Sequence, residues 1–375
     1  MAGRSGGAAR LAASLLVGFA VFLLVVAALL PLYTAPKLER LPLGHESTRI
    51  MEGSGTLLDV ALLAQGDEEP WEEDVPLRSQ TRVTVEDPVS SETATLQAGH
   101  ALMRADSTPG RGLVSALIDR VTIDRHDAMP VSEPIASLQV DRESPAVQLP
   151  RDGLQYRFPY GAGRQAYPVY DLTARASSAA EFVEDTELDG VTVRHYRQAL
   201  GPVDLFRATR DQANRVGMTR AGWGLVDESA DDAGEILFMT RYYTVQRDLW
   251  VEPVSGTIVD SREQVNQFFG TSPEDRALPV SEHDLSFTSA TVAAQLDAAR
   301  AERDRVQLAI GAGPVSIHTS WILVALGLVS LGAGLALGVR ASRRDDAAED
   351  EPDDSDDGAG TDDDPAVMLY SGGLR

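Results

Sequence analysis

Two long uncharged segments near the ends of the chain restrict its fold more than any other feature. Residues 11–30 contain thirteen Leu, Val or Phe residues, and residues 321–339 contain ten Leu, Ile or Val residues. An apolar run of about 20 residues crosses the hydrocarbon layer of a bilayer as an α-helix. The sequence therefore predicts two transmembrane helices, at residues 11–32 and 318–339.

A cleaved signal peptide is the alternative interpretation of the first apolar segment. The apolar core of a signal peptide has about 7 to 15 residues and is followed by a cleavage site of small residues. The segment here is longer, and the sequence Tyr33, Thr34, Ala35 begins with a bulky side chain. These features favour an uncleaved membrane anchor.

Basic residues that flank the two segments predict their orientation. They are Arg4 and Arg10 before the first segment and Arg340, Arg343 and Arg344 after the second. Short basic flanks mark the cytoplasmic side, and a long loop is exported whatever its own charge. We predict a two-pass protein of the cytoplasmic (plasma) membrane. Its termini, residues 1–10 and 340–375, would be cytoplasmic and the segment between the spans extracytoplasmic.

Composition excludes several classes of function. The formal net charge is −24, whereas a nucleic-acid-binding surface needs clustered Lys and Arg. The chain has no cysteine, which excludes disulfides, thiolate metal sites and cysteine nucleophiles. With 43% hydrophobic residues, the long segment between the spans can bury a core of its own. We therefore expect a folded domain and no nucleic-acid partner.

Short β-strand patterns occur along residues 36–287. Partial two-residue alternation of β-branched or aromatic side chains is found at residues 82–86, 121–124, 191–196 and 236–246. Residues 249–254 and 257–259 flank Ser255 and Gly256 and predict a β-hairpin with these two as its turn. Turn-forming residues, not helical patterns, separate the strands. We predict a mainly β extracytoplasmic domain, either a sandwich or an open barrel.

An amphipathic helix with a hinge is predicted at residues 288–313. Its apolar stripe comprises Val292, Leu296, Ala299, Val306 and Ile310, and the charged residues Asp297, Arg300, Glu302 and Asp304 lie elsewhere. The helix either packs on its own domain or mediates oligomerisation. Gly and Pro at residues 311–314 end it before the second span. Beyond that span, residues 345–364 contain twelve acidic residues, so residues 340–375 are predicted to be a disordered cytoplasmic tail.

No pattern of catalytic or metal-binding residues is evident. The six histidines are scattered, and neither a nucleophile elbow nor a phosphate-binding loop occurs. Acidic clusters at residues 67–74 and 227–235 lack the alternating spacing of a calcium loop. We therefore assign no catalytic, cofactor or metal site and expect a protein that is not an enzyme.

Two groups of residues are candidates for binding or packing. Tyr156, Phe158, Tyr160, Tyr167 and Tyr170 form an aromatic group that would line a ligand groove, or would be core residues of strands with prolines at an edge. In the second span, Ser330, Gly334 and Gly338 recur at four-residue spacing, which allows close helix packing. The partner helix would be the first span, through Ser14 and Gly18, or a second copy of the chain.

Several segments resemble a family of actinobacterial envelope proteins, the PorA-type porins. They are YTAP at residues 33–36, GSGT at 53–56, DRVTIDR at 119–125, the aromatic segment 156–171, WVEPVSG at 250–256, and the C-terminal helix with its span. The resemblance covers nearly the whole chain except the acidic tail. It implies a channel in the cell envelope and no catalytic residues.

The two spans argue against a pore formed by a single copy, because two apolar helices cannot enclose water. We therefore expect a membrane-anchored envelope protein that displays a β-rich binding or scaffolding domain. Its partners would be the lipid bilayer, a second copy through the spans, and an envelope lipid or protein. The alternatives are an oligomeric channel of the PorA type and an exported hydrolase.

Overall fold

The computed structural model describes residues 3–29, 37, 39–65, 67, 69–108, 112–141, 143–225, 234–310 and 316–349. The chain divides into two compact units. The helical unit comprises Met1–Ala28 and Ser320–Arg375, and the β unit comprises Leu29–Thr319.

The β unit is built on one antiparallel sheet of 13 strands, so the mainly β prediction is confirmed. The strands are β1 (Glu46–Leu58), β2 (Trp71–Val89), β3 (Thr93–Arg104), β4 (Leu113–Asp124), β5 (Ser137–Gln139), β6 (Val147–Gln148), β7 (Tyr167–Asp171), β8 (Ala176–Leu188), β9 (Val191–Asp204), β10 (Arg215–Thr219), β11 (Ile236–Glu252), β12 (Thr257–Gly270) and β13 (Leu278–Phe287). The four strand segments predicted above lie within β2, β4, β9 and β11. Each of these strands extends beyond its predicted segment because pairing with neighbours continues past the local apolar pattern.

The strand order places the first and last strands next to each other. It is β6-β5-β4-β3-β2-β1-β13-β12-β11-β9-β8-β7, with β10 paired to β11. Met51 of β1 faces Phe287 of β13, so the centre of the sheet joins the two ends of the unit. Nearly every other neighbouring pair is a hairpin between strands consecutive in the chain, which is the usual way to build an antiparallel sheet.

The predicted hairpin is formed by β11 and β12, but its connection is longer than expected. Val251 pairs with Ile258 and Glu252 with Thr257, so residues 253–256 form a four-residue connection. The Glu252 carboxylate accepts hydrogen bonds from the backbone N–H groups of Val254 (3.2 Å) and Ser255 (2.7 Å). These bonds give two backbone N–H groups of the loop a partner, so the longer connection is stable without a two-residue turn.

The predicted amphipathic helix is confirmed as α4. The helices are α1 (Gly3–Leu29), α2 (Val60–Gln65), α3 (Leu205–Thr209), α4 (Ser289–Ile310) and α5 (Ser316–Glu349), with short 3-10 turns at Gln212–Asn214 and Ala221–Trp223. Leu296 and Ala299 of α4 are buried in a cluster with Val191, Val193 and Val259. The helix therefore packs on its own unit, which is the first of the two roles considered for it from the sequence. The predicted hinge at residues 311–313 lies outside the described residues.

Glu302 of α4 is largely buried although it lies off the apolar stripe. Its side chain is only 11% exposed. It accepts a hydrogen bond from the Tyr160 hydroxyl and lies 3.5 Å from Nη1 of Arg157. A buried carboxylate is tolerated when such partners satisfy it, and the helical periodicity alone contains no information about them.

The helical unit contains the two apolar helices. Both α1 and α5 are long and apolar enough to cross a membrane, over Arg10–Leu29 and Ile322–Arg343. Most of each segment is exposed, as expected for a surface that faces lipid. Helix α5 continues to Glu349, into the tail that was predicted to be disordered from residue 340. Residues 340–349 are mainly Ala, Arg, Asp and Glu, and most of these propagate a helix that has already begun.

Candidate functional site

The principal cavity of the β unit is enclosed by one face of the sheet and by the segment that precedes β7. Its volume is about 280 Å³. In β1, β2 and β13 alternate residues line it, as the two-residue period of a strand requires, whereas β3, β4 and β7 contribute consecutive residues. Residues of β1 to β4, β7 and β11 to β13 contribute to the wall, together with residues 154–158.

The strand register arranges the wall in two parallel rows. The first row is Arg49 of β1, Thr81 of β2, His100 of β3 and Leu117 of β4, and the second is Phe287 of β13, Met51, Ser79 and Leu102. The first row carries a cation, a hydroxyl and an imidazole. The second is mainly apolar. A polar zone and an apolar zone therefore lie side by side in the same cavity.

The aromatic group predicted to form a groove is divided by the structure. Tyr156, Phe158 and Tyr170 line the cavity, whereas Tyr160 and Tyr167 do not. All five side chains are buried. The Phe158 ring lies 5.3 Å from that of Tyr167, centroid to centroid, within the hydrophobic core. Residues 156–160 are irregular, and only Tyr167 and Tyr170 belong to a strand, the edge strand β7.

Behind this wall lies a fully buried ion pair. The carboxylate of Asp119 is 2.8 Å from Nη1 of Arg151, and neither side chain is exposed. The hydroxyl of Tyr156 donates to Asp119 Oδ2 at 2.6 Å, and Nε2 of Gln155 donates to the same atom at 3.0 Å. Burial and the adjacent Asp119 carboxylate raise the pKa of Tyr156 well above its ordinary value, so its hydroxyl remains a donor.

A second ionic cluster joins β7, β11 and β12. Nη2 of Arg247 lies 2.7 Å from Asp171 Oδ2, and its Nε donates to Glu263. The hydroxyl of Tyr243 donates to Asp171 Oδ2 at 2.9 Å. Burial opposes the charge of Arg247, but the carboxylates of Glu263 and Asp171 overcome this effect and raise its pKa. The charge of Arg247 is therefore fully compensated.

Arg49 differs from Arg247 because it lacks a carboxylate partner among the described residues. Its Nη2 donates to the backbone carbonyl of Tyr156 at 2.7 Å, and its buried Nε has no hydrogen-bond partner there. Burial lowers the pKa of Arg49 to about 10, which still leaves it charged at neutral pH. A cation without a counter-ion thus lies in the cavity wall.

His100 lies in the same row as Arg49 and forms a hydrogen bond with Tyr156. Its Nδ1 lies 3.0 Å from Thr81 Oγ1, and its Nε2 lies 3.1 Å from the Tyr156 hydroxyl. Burial lowers the pKa of His100 from 6.5 to about 4, which Asp119 only partly opposes. His100 is therefore neutral at physiological pH.

His100 is expected to make the fold sensitive to acid. An unfolded histidine binds a proton near pH 6.5, whereas folded His100 does so only near pH 4. The unfolded chain thus holds more protons between these values, and the free energy of unfolding should fall as pH decreases through this window. Urea midpoints measured from about pH 7 to about pH 4 should fall less steeply in a His100→Gln variant. Equal slopes in both proteins would contradict the prediction.

Metal ligands are not clustered in the described part of the chain. No group of three or more His, Asp or Glu side chains there is arranged to hold an ion. The acidic cluster at residues 227–235 lies largely outside the described residues.

In the helical unit, the predicted glycines lie against α1. A Cβ atom added to Gly334 would lie 2.9 Å from Val17 Cγ2 and 3.1 Å from the Ala13 carbonyl oxygen. A Cβ atom at Gly338 would lie 3.9 Å from Ala13 Cβ. Ser330 is half-buried, and Ser14 and Gly18 of α1 are exposed. Small residues therefore allow the backbones of α1 and α5 to approach closely.

Comparison with known proteins identifies relatives that are similar over most of the chain. A family model described as Porin PorA matches residues 12–336, which include the β unit and most of both candidate spans. The chain belongs to the PorA porin family. A Porin PorA of Corynebacterium amycolatum is 31% identical, over 84% of this chain and 95% of its own length. A Porin PorA of Corynebacterium resistens is 27% identical, over 89% of this chain and 98% of its own length.

Membership in the PorA family confirms the resemblance described from the sequence and implies a location in an envelope membrane. It favours the channel-forming alternative over the binding or scaffolding function. The sequence did not indicate Arg49, His100 or Arg247 as cavity residues. Each lies in a different strand among other polar residues, and only the register brings them to one cavity.

Proposed function

We propose that this chain is a channel-forming protein of the cell envelope that acts as an oligomer. The observation that carries the proposal is that the PorA match includes most of both candidate spans as well as the β unit. Both relatives are named as porins, and each alignment covers most of both chains.

The need for several copies follows from the composition of the spans. One pair of helices has no interior that could hold water, so a water-filled pore needs helices from several copies. Between Leu11 and Leu29, and between Ile322 and Val339, no residue is charged. The polar atoms available to a pore are therefore hydroxyl groups such as those of Ser14 and Ser330, which would have to converge from several copies.

For the β unit, an open barrel is the form that we propose. Side chains from both halves of the sheet line one cavity, which requires the sheet to curve around it. The strand order ends at β6 and β7 without joining them among the described residues. A sandwich would instead bury its interior between two separate sheets.

The membrane topology is proposed from the arginine flanks, with both termini in the cytoplasm and the β unit outside. Because the chain has no cysteine, single cysteines report their own accessibility. With a membrane-impermeant maleimide, Glu73→Cys should react in intact cells. Gly7→Cys and Ala347→Cys should react only after permeabilisation. Labelling of Ala347→Cys from outside would contradict the two-pass topology.

Conductance in planar bilayers tests the channel. Purified full-length protein should give discrete current steps. Gly334→Leu should abolish them, because the larger side chain would collide with Val17 and Ala13 and separate the helices.

Gly332→Leu is the matched control, since Gly332 is exposed and a Cβ atom there has no neighbour within 4 Å. It should retain the steps. Absence of steps from the unmodified protein would overturn the channel proposal, and steps unchanged in Gly334→Leu would exclude a role for this helix contact.

A further inference from the structure

Of the three arginines that line the cavity of the β unit, two lie next to a carboxylate and one does not. Arg247 is compensated by Asp171 and Glu263, and Arg157 lies 3.5 Å from Glu302. Arg49 has no such carboxylate among the described residues. Arg49 is half-buried and its Nε atom is fully buried, and a charge so placed without a counter-ion is unfavourable, so this position favours an anion supplied from outside.

The chemistry beside Arg49 favours a carboxylate over a spherical anion. A guanidinium group presents planar N–H donors that match a carboxylate in a bidentate arrangement. Thr81 faces Arg49 across the β1–β2 pair and adds a hydroxyl group to the same row. His100 follows in that row, but its two ring nitrogens are already hydrogen-bonded to Thr81 and Tyr156, so the Arg49 guanidinium is the group that would pair with the ligand.

The neighbouring row favours an apolar continuation of the same ligand. Met51, Leu102 and Phe287 lie in the row adjacent to Arg49, and all three line the cavity. An apolar cavity of about 150 Å³ holds benzene, so a cavity of about 280 Å³ suits a ligand of about ten non-hydrogen atoms. Ser115 and Ala116 of β4 are exposed and line the same cavity, so it opens to solvent beside this strand.

We propose that this cavity binds a medium-chain amphiphilic carboxylate, with its carboxylate on the Arg49 guanidinium and its alkyl chain along Met51, Leu102 and Phe287. This site is separate from the proposed channel. Binding involves only residues of the β unit that line the cavity. The binding test and the conductance test are therefore independent of each other.

The test uses the full-length protein in lipid nanodiscs, with octanoate as the probe and isothermal titration calorimetry as the measurement. Empty nanodiscs are titrated in parallel, because octanoate partitions into bilayers. Octanoate should bind with one site per chain. Octan-1-ol should bind at least about tenfold more weakly, because it lacks the charge that pairs with Arg49. Octylammonium should not bind.

Substitutions of Arg49 test whether its guanidinium group binds the octanoate carboxylate. Arg49→Gln should weaken octanoate binding by about tenfold or more, and Arg49→Lys should restore part of it. Arg78→Gln is the matched control, because Arg78 is an exposed arginine of the neighbouring strand that pairs with Glu52 at the surface. It should leave the affinity unchanged.

A second variant covers the case in which Arg49→Gln does not fold. Ser79→Trp would fill the apolar row without altering Arg49 and should abolish binding. The proposal is overturned if Arg49→Gln or Ser79→Trp, folded by near-UV circular dichroism, binds octanoate as the unmodified protein does. It is also overturned if octan-1-ol binds as tightly as octanoate, or if octanoate gives no heat beyond that of empty nanodiscs.

Discussion

Replacing Arg151 with methionine is expected to destabilise the β unit by about 3 to 5 kcal/mol. The substitution removes the cation that lies 2.8 Å from Asp119 and leaves a carboxylate that is fully buried. It also removes the guanidinium group positioned 4.8 Å from the centre of the Tyr170 ring. Tyr156 and Gln155 still donate to Asp119, but hydrogen bonds alone compensate a buried charge incompletely.

The measurement is urea unfolding of the full-length protein, followed by tryptophan fluorescence. Three of the four tryptophans, Trp71, Trp223 and Trp250, lie in the β unit and report its unfolding. The double variant Asp119→Leu with Arg151→Met removes both charges and should recover most of the lost stability. A double variant as unstable as the single one would show that the charge imbalance is not the cause.

Phe158→Ala should destabilise the β unit by a similar amount, about 3 to 5 kcal/mol. Phe158 is 1% exposed, and its ring lies 4.8 Å from Tyr196 and 5.3 Å from Tyr167. Truncation would leave a hole among aromatic rings that cannot close without moving the sheet.

Phe238→Ala is the control for Phe158→Ala, because Phe238 is 60% exposed. The same chemical change at that position should lower the free energy of unfolding, measured by urea unfolding, by no more than about 0.5 kcal/mol. Equal losses at both positions would contradict the assignment of Phe158 to the core.

The elements predicted correctly are those with a local signal. The two apolar helices follow from uninterrupted hydrophobic runs, and α4 follows from its three- and four-residue periodicity. The β11–β12 hairpin also has a local signal, although the length of its connection depends on the Glu252 side chain. Each of these patterns lies within one short stretch of chain.

The cavity could not be predicted in the same way because its charged pairs come from separate strands. Arg247 meets Glu263 through the β11–β12 register, and Asp119 meets Arg151 from a strand and a loop. The period of a strand defines two faces but does not say which face is buried. The aromatic group shows this limit, since Tyr156 reaches the cavity whereas Tyr167 packs in the core.

The adjacency of β1 and β13 determines when folding can be completed. Met51 pairs with Phe287, so the middle of the sheet cannot form until nearly the whole β unit has been synthesised. Until then, the hairpins on either side can assemble, but β1 keeps one edge of backbone hydrogen-bonding groups unpaired. That edge is open to non-native strand pairing during the interval, so a chaperone that covers it would raise the yield of folded protein.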